Sequence, residues 1–222
     1  MMRAYFIFVV YIIFGNTCLS AQGCSDFYYF RKDTEVVFLH YDAKGNVSGK
    51  DIGNTRNINK GENMALSEYP TITYNADSKT KAEFSQQVFC INNNLKINFP
   101  VSDIPGFTIS LSYPSEMKIG QEIGKDVRKS FKMRVGDKET DILFSITNRK
   151  VIGQETVKTS AGEFKSEKIQ YNLNFEYNIA GISIPLQKKI WEWFSPGYGI
   201  VKTEFYTKDG ILEKASVLSS VN

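Results

Sequence analysis

Few side chains in this sequence are suited to catalysis. His40 is the single histidine among 222 residues, and it falls inside a β-branched, aromatic stretch from Thr34 to Tyr41. A serine–histidine–aspartate triad would depend wholly on it, and a histidine-rich zinc site is excluded. A lone histidine in a strand reads as an ordinary packed or exposed side chain. Three cysteines are present, and Cys18 lies in the leader-like first segment. Cys24 and Cys90 remain, and an even pair in an exported protein reads as a disulfide. Closing a loop of about 65 residues, such a bridge is worth roughly 4 kcal/mol on the loop-entropy model. The alternative is that Cys24 carries a lipid anchor, which would leave Cys90 as a free thiol. Ala21-Gln22-Gly23, with Gln in the middle and no leading Leu, matches the bacterial lipid-attachment box poorly.

Glycosidase chemistry needs two carboxyl groups at a set separation, and among 24 acidic residues no spacing selects a pair. Glu155, Glu163, Glu167, Glu192 and Glu204 fall in strands or turns, and most read as solvent-facing. Gly197-Tyr198-Gly199 lacks the strand-to-helix setting of a phosphate loop and reads as a turn requiring positive φ. Asn46-Val47-Ser48 is a glycosylation sequon in form, and reads as part of a turn. The residues therefore indicate no catalytic group, no metal site and no cofactor. The aromatics are more suggestive. Tyr171, Leu173, Phe175, Tyr177, Trp191 and Trp193 are read as one wall of a ligand cavity, against the plainer reading of such residues as sheet core.

The elements that would position these residues are strands. Arg149 to Tyr177 reads as a hairpin around Ser160-Ala161-Gly162-Glu163. Along its second strand Ile169, Tyr171, Leu173, Phe175 and Tyr177 fall on one face, while Lys168, Gln170, Asn172, Asn174 and Glu176 fall on the other. A period of two marks a sheet with one buried and one wet face. Arg149, Gly153 and Gly162 read as edge, bulge and turn residues. The rest of the chain repeats this design: Val47 to Ile52, Ala65 to Asn75 (with Pro70 an edge, bulge or break), Ala82 to Ile91 and Leu95 to Phe99 read as strands. So do Ser130 to Val135, Ile142 to Thr147, Ile200 to Thr207 and Ile211 to Leu218. Asp42-Ala43-Lys44-Gly45-Asn46 and Lys208-Asp209-Gly210 read as hairpin turns. Asn54 to Asn63 reads as an irregular hairpin end or loop. Residues 100–117, with Pro100, Pro105 and Pro114, read as a short helix or a loop crossing a barrel end, the first candidate for a lid. No amphipathic helix of three turns is visible.

Residues 1–21 have a basic start at Arg3, an uncharged apolar run from Ala4 to Phe14 and a small-residue end. That is the pattern of a secretory signal peptide cut after Ala21, its apolar core too short for a membrane-spanning helix. The full chain carries 27 Lys and Arg against 24 acids, a formal net charge of +3, and loss of Arg3 lowers it by one. So balanced a surface with no basic run argues against nucleic-acid binding.

A resemblance can be placed on particular residues. Cys24-Ser25 with Tyr28-Tyr29-Phe30, then Tyr41-Asp42-Ala43-Lys44-Gly45, resembles the start of the TapB-like domain of unknown function found in exported proteins of Bacteroidetes. Asn148-Arg149-Lys150-Val151 with Gly153, Glu155, Ala161-Gly162 and Phe164 resembles its middle. Trp191 through Gly197-Tyr198-Gly199-Ile200-Val201-Lys202, with Lys208-Asp209-Gly210, resembles its end. One departure is Phe30, where a Pro would be expected. The resemblance implies an exported, mainly β protein and no activity.

The resulting expectation is an all-β protein, an antiparallel meander forming a single barrel or curved sandwich over residues 22–222 with little helix. Its role is expected to be non-enzymatic and in the cell envelope, periplasmic or outer-membrane-associated. It is expected either to bind a lipid-like or other apolar small molecule inside the barrel, or to serve as a module for contacts with envelope proteins. A membrane-spanning barrel fits poorly, because the wet faces are polar and the chain ends Ser219-Ser220-Val221-Asn222 without an aromatic.

Overall fold

The computed structural model describes residues 23–100, 107–135, 138–179 and 182–222, so the segment expected to be a signal peptide lies outside them. Among the described residues thirteen strands follow one another. The first six are β1 (Glu35–Asp42), β2 (Val47–Asn54), β3 (Arg56–Lys60), β4 (Met64–Asn75), β5 (Thr80–Ile91) and β6 (Asn94–Pro100). Next come β7 (Thr108–Tyr113), β8 (Val127–Val135), β9 (Lys138–Thr159) and β10 (Gly162–Ile179). Last are β11 (Ile182–Ser195), β12 (Gly199–Thr207) and β13 (Leu212–Val221). No α-helix occurs among the described residues; two short 3-10 turns, Cys24–Asp26 and Tyr28–Phe30, precede β1.

All strands join one antiparallel sheet in the order β7-β6-β5-β4-β2-β1-β13-β12-β11-β10-β9-β8, with β3 added on β4. The sheet curls into a nearly closed twelve-strand barrel, which decides between the barrel and the sandwich. The first and last strands, β1 and β13, pair directly, Leu39 opposite Val217. Two meanders thus grow away from the paired chain ends, and their outer strands, β7 and β8, form the seam. The 114–126 link lies over that seam. Gly120 N donates to Val151 O at 2.8 Å, Val151 N to Gln121 O at 2.9 Å and Ile123 N to Arg149 O at 2.8 Å, extending the ladder beyond the end of β8.

Two expectations are corrected here. Residues 56–60 form strand β3 rather than a loop; the polar composition reflects a short strand on the rim, its residues mostly exposed, where no apolar alternation is needed. Residues 108–113 form strand β7 rather than a helix or a loop across the barrel end, while 101–106 lie outside the described residues. The proline-rich flanks hid a six-residue alternation in which Ile109, Leu111 and Tyr113 face inward. Pro70 does not break β4. It falls where β4 changes partner, between Glu68, opposite Arg56 on β3, and Thr71, opposite Gly53 on β2. A missing amide is tolerated at such a place.

The N-terminal turns plug one end of the barrel. Phe27, Tyr28, Tyr29 and Phe30 are all buried. Tyr28 N donates to Tyr198 O at 3.1 Å, Ser67 Oγ to Tyr29 O at 2.6 Å and Thr55 Oγ1 to Tyr28 O at 3.3 Å. A Cys24–Cys90 disulfide, with Cα atoms 5.6 Å apart, ties the plug to the end of β5. Gly199 has φ +131°, and a Cβ there would stand 2.6 Å from the Tyr28 ring, so glycine lets the plug seat against β12.

Candidate functional site: a chamber inside the barrel

A cavity of about 130 Å³ lies between the plug and the barrel wall. Strand alternation and register bring its lining together from far apart in sequence. Phe38 on β1 stands opposite Asp51 on β2 and Leu218 on β13. Ser216 stands opposite Thr203, and Thr71 is flanked by Gly53 and Phe84. Residues directly across an antiparallel pair share a face, so these side chains form one inward row. The rings of Tyr28, Tyr29 and Tyr69, with Phe99 and Gln86, complete the chamber. Gly53 is required there, since a Cβ would stand 2.2 Å from the Tyr69 ring.

The phenols are packed as neutral groups. Burial raises Tyr28, Tyr29 and Tyr69 above the usual phenol range. The Tyr28 hydroxyl donates to Ile200 O at 3.1 Å and lies 2.8 Å from the Tyr29 hydroxyl. Two polar atoms of the lining remain unsatisfied: Asp51 Oδ1 and Thr71 Oγ1 are buried without a hydrogen bond. His40 Nε2 lies at an ion-pair distance of 3.0 Å from Asp51 Oδ1, although that oxygen makes no hydrogen bond. A larger groove of about 590 Å³ lies beside Glu155, Glu163 and Lys165, three exposed residues.

A second polar cluster lies on the opposite wall, and it corrects two expectations. Arg149 is no edge residue, and Glu192 does not face solvent: they are 7% and 3% exposed. A bulge in β9 is the cause. Thr147 stands opposite Asn172 and Lys150 opposite Gln170, so Asn148 and Arg149 together face Tyr171. Asn148 takes φ +56°, and this extra residue turns Arg149 inward. Its Nη1 donates to Ser112 O on β7 at 2.5 Å, reaching across the barrel seam. Nη2 lies 3.5 Å from Glu192 Oε1, and the guanidinium sits 4.4 Å from the Tyr113 ring centre and 5.9 Å from that of Tyr171. Tyr171 donates to Glu192 Oε2 at 3.5 Å. Arg149 Nε and Nη2, the Tyr113 hydroxyl and Glu192 Oε1 make no hydrogen bond. Burial pushes the Glu192 carboxyl above its ordinary range, with Arg149 opposing that shift.

The expected cavity wall is divided by the register. Ile169 stands opposite Glu192, and Tyr171 opposite Ile190, so Tyr171, Leu173, Phe175 and Tyr177 share the inward face. Phe175 packs edge-on against Phe144 with ring centres 5.1 Å apart. These residues lie on the β10 wall but do not line the 130 Å³ chamber. Trp191 and Trp193 stand opposite Gln170 and Lys168, on the face away from Tyr171, where Lys168 Nζ lies 4.2 and 4.6 Å from their rings and Trp193 is nonetheless buried, 3% exposed. In Trp191-Glu192-Trp193 the carboxylate takes the inner position that composition alone would assign to the tryptophans. The chamber itself was missed. Its one sequence signal is Gly49-Lys50-Asp51-Ile52-Gly53, where glycines at period two flank an acid on one strand face.

Among the described residues, no group of three or more His, Cys, Asp or Glu side chains is placed to hold a metal ion. The fold and the chamber define a plugged antiparallel β-barrel with a small, partly polar interior. The chain belongs to the DUF3108-like family, whose family model matches residues 106–218. The narrower TapB-like resemblance rests on the quoted residues alone. Two solved structures share the fold. One is of a protein provisionally assigned as a lipoprotein from Parabacteroides distasonis ATCC 8503, with TM-score 0.70, 21% identity, and coverage of 88% of this chain and 98% of that one. The other is of a protein provisionally assigned as exported, with a YmcC-like fold, from Bacteroides fragilis NCTC 9343. Its TM-score is 0.68, with 18% identity and coverage of 86% of this chain and 96% of that one. No curated protein matches the chain.

Proposed function

We propose that this is an exported, non-catalytic envelope protein of the TapB-like type whose single barrel domain, residues 22–222, binds an apolar or amphiphilic small molecule. The observation that carries this reading is the chamber: a cavity lined by six aromatic rings in which Asp51 Oδ1, with His40 Nε2 3.0 Å away, and Thr71 Oγ1 make no hydrogen bond. An unsatisfied buried polar atom costs about 1–3 kcal/mol, which a bound molecule would offset. Export is supported by the signal-like residues 1–21, by the printed descriptions of both structural relatives and by the disulfide, which persists in oxidising compartments. With its sulfur bonded to Cys90, Cys24 cannot carry a thioether lipid, and this favours a periplasmic protein over an anchored one.

The test is a fluorescence titration of the mature protein with N-phenyl-1-naphthylamine, an uncharged apolar probe, below its aggregation concentration. Saturable binding is expected, weakened at least about tenfold by Ser216→Phe, which fills the chamber, with the thermal transition retained. Absence of saturable binding to the wild type overturns the reading.

A second reading is a module that docks envelope proteins. Its support is the end of β11, where Ile182, Ile184 and Leu186 are exposed and residues 182–187 have no partner on the β12 side, pairing there beginning at Lys188. An apolar, half-unpaired strand is a template for another chain. Cross-linking from position 184 in intact cells should then capture one discrete envelope protein; capture of none removes this reading.

A further inference from the structure

We infer that the polar end of the ligand is a cationic amine, a primary or quaternary ammonium group held between Asp51 and a cage of aromatic rings; this rests on the ligand-binding reading above. Six rings line the chamber: Tyr28, Tyr29, Phe38, Tyr69, Phe84 and Phe99. Ring faces carry negative partial charge and attract ammonium groups, most strongly when water is excluded. Asp51 is the one charged residue of that lining, and its Oδ1 makes no hydrogen bond. Thr71, 5% exposed, adds a second unpartnered oxygen to the same wall.

The chemistry of this lining is selective. No lysine or arginine lines the chamber, so a carboxylate or phosphate head would meet like charge at Asp51, while Lys214, close enough to interact with Asp51, stays outside the lining. A chamber of about 130 Å³ holds roughly four water-sized volumes of ~30 Å³. That suits a methyl- or trimethylammonium group and is small for a sugar ring. The chain already seats one of its own ammonium groups in this way, with Lys214 Nζ 4.3 Å from the Phe205 ring centre. Lys214 is not part of the chamber lining. His40, 3.0 Å from Asp51, is the neighbouring group that an incoming ammonium would displace from the carboxylate.

Calorimetric titration of the mature protein with three probes sharing a dodecyl chain, each below its micelle concentration, tests the inference. The probes are dodecyltrimethylammonium, dodecyl sulfate and dodecyl maltoside. The ammonium probe should bind at least about tenfold tighter than the other two. Asp51→Asn should abolish that preference, and Asp77→Asn in an exposed turn should change nothing. Phe84→Leu, which removes a ring face and keeps the charge, should reduce the preference several-fold and serves if Asp51→Asn does not fold. Equal binding of all three probes, or a preference that survives both chamber variants, overturns the amine inference and leaves ligand binding standing. Binding of none overturns both.

Discussion

Replacing Arg149 with Met tests the account of the buried polar cluster most directly. The guanidinium is the only cation placed against the Glu192 carboxyl in this cluster, 3.5 Å away, and its hydrogen bond to Ser112 O ties β9 to β7 across the seam. Removing one member of a buried pair strands the other, at about 3–5 kcal/mol. For a domain of this size each kcal/mol moves the melting temperature by about 2–4 °C, so Arg149→Met should melt roughly 6–20 °C lower at neutral pH. The pH dependence gives a second readout. Burial holds the Glu192 carboxyl above its unfolded range, so the folded state binds its proton more readily than the unfolded chain. Stability from this group therefore falls as pH rises through the window between the ordinary carboxylate range and the raised value, and returns on acidification. Without Arg149 the carboxyl is raised further and the window extends upward. The deficit of Arg149→Met should thus shrink between pH 8 and pH 5. The double variant Arg149→Met with Glu192→Leu should regain most of the loss, because an apolar pair of similar bulk needs no desolvation of charge. Urea unfolding monitored by intrinsic fluorescence, run on both singles and the double, supplies the cycle. A loss below about 1 kcal/mol for Arg149→Met, or a double variant no more stable than that single, refutes the reasoning.

Two further outcomes concern the frame around the chamber. Replacing Cys24 and Cys90 together by serine should lower stability by roughly 4 kcal/mol on the loop-entropy model, measured by denaturant unfolding; because Cys24 is the bonded partner, intact mass of the exported wild type should show no lipid. Gly53→Ala should cost about 1–3 kcal/mol through overpacking, because its Cβ would stand 2.2 Å from the Tyr69 ring. Adding Tyr69→Leu should recover part of that loss, whereas an additive pair of losses would contradict the contact.

Much of the sheet was legible because exposure alternates along its strands. The inward row Ile169, Tyr171, Leu173, Phe175 and the turn at Ser160-Ala161-Gly162 follow from a period of two and a glycine at φ +138°. Strand β3 was hidden because a rim strand buries little and needs no apolar pattern. Arg149 was misjudged because a bulge inverts the alternation locally, and nothing in Thr147-Asn148-Arg149-Lys150 announces an extra residue beyond the tolerance of Asn for positive φ. The tryptophans were placed with the Tyr171 row because composition assigns large rings to one inner wall, whereas register puts them on the other strand face, where Trp193 is still buried.

By itself the amino-acid sequence determined most of the local conformation, which segments extend and where they turn, with β3 and β7 the exceptions. Those properties depend on neighbours one to four residues away. Tertiary structure alone decided that the chain ends pair through β1 and β13, that β7 and β8 meet at a seam, and that Asp51, Thr71 and Tyr69 surround one chamber with the N-terminal plug. Each of these depends on closure of a twelve-strand sheet, in which a residue's surroundings are set by strands up to 185 positions away, as between Val36 and Val221.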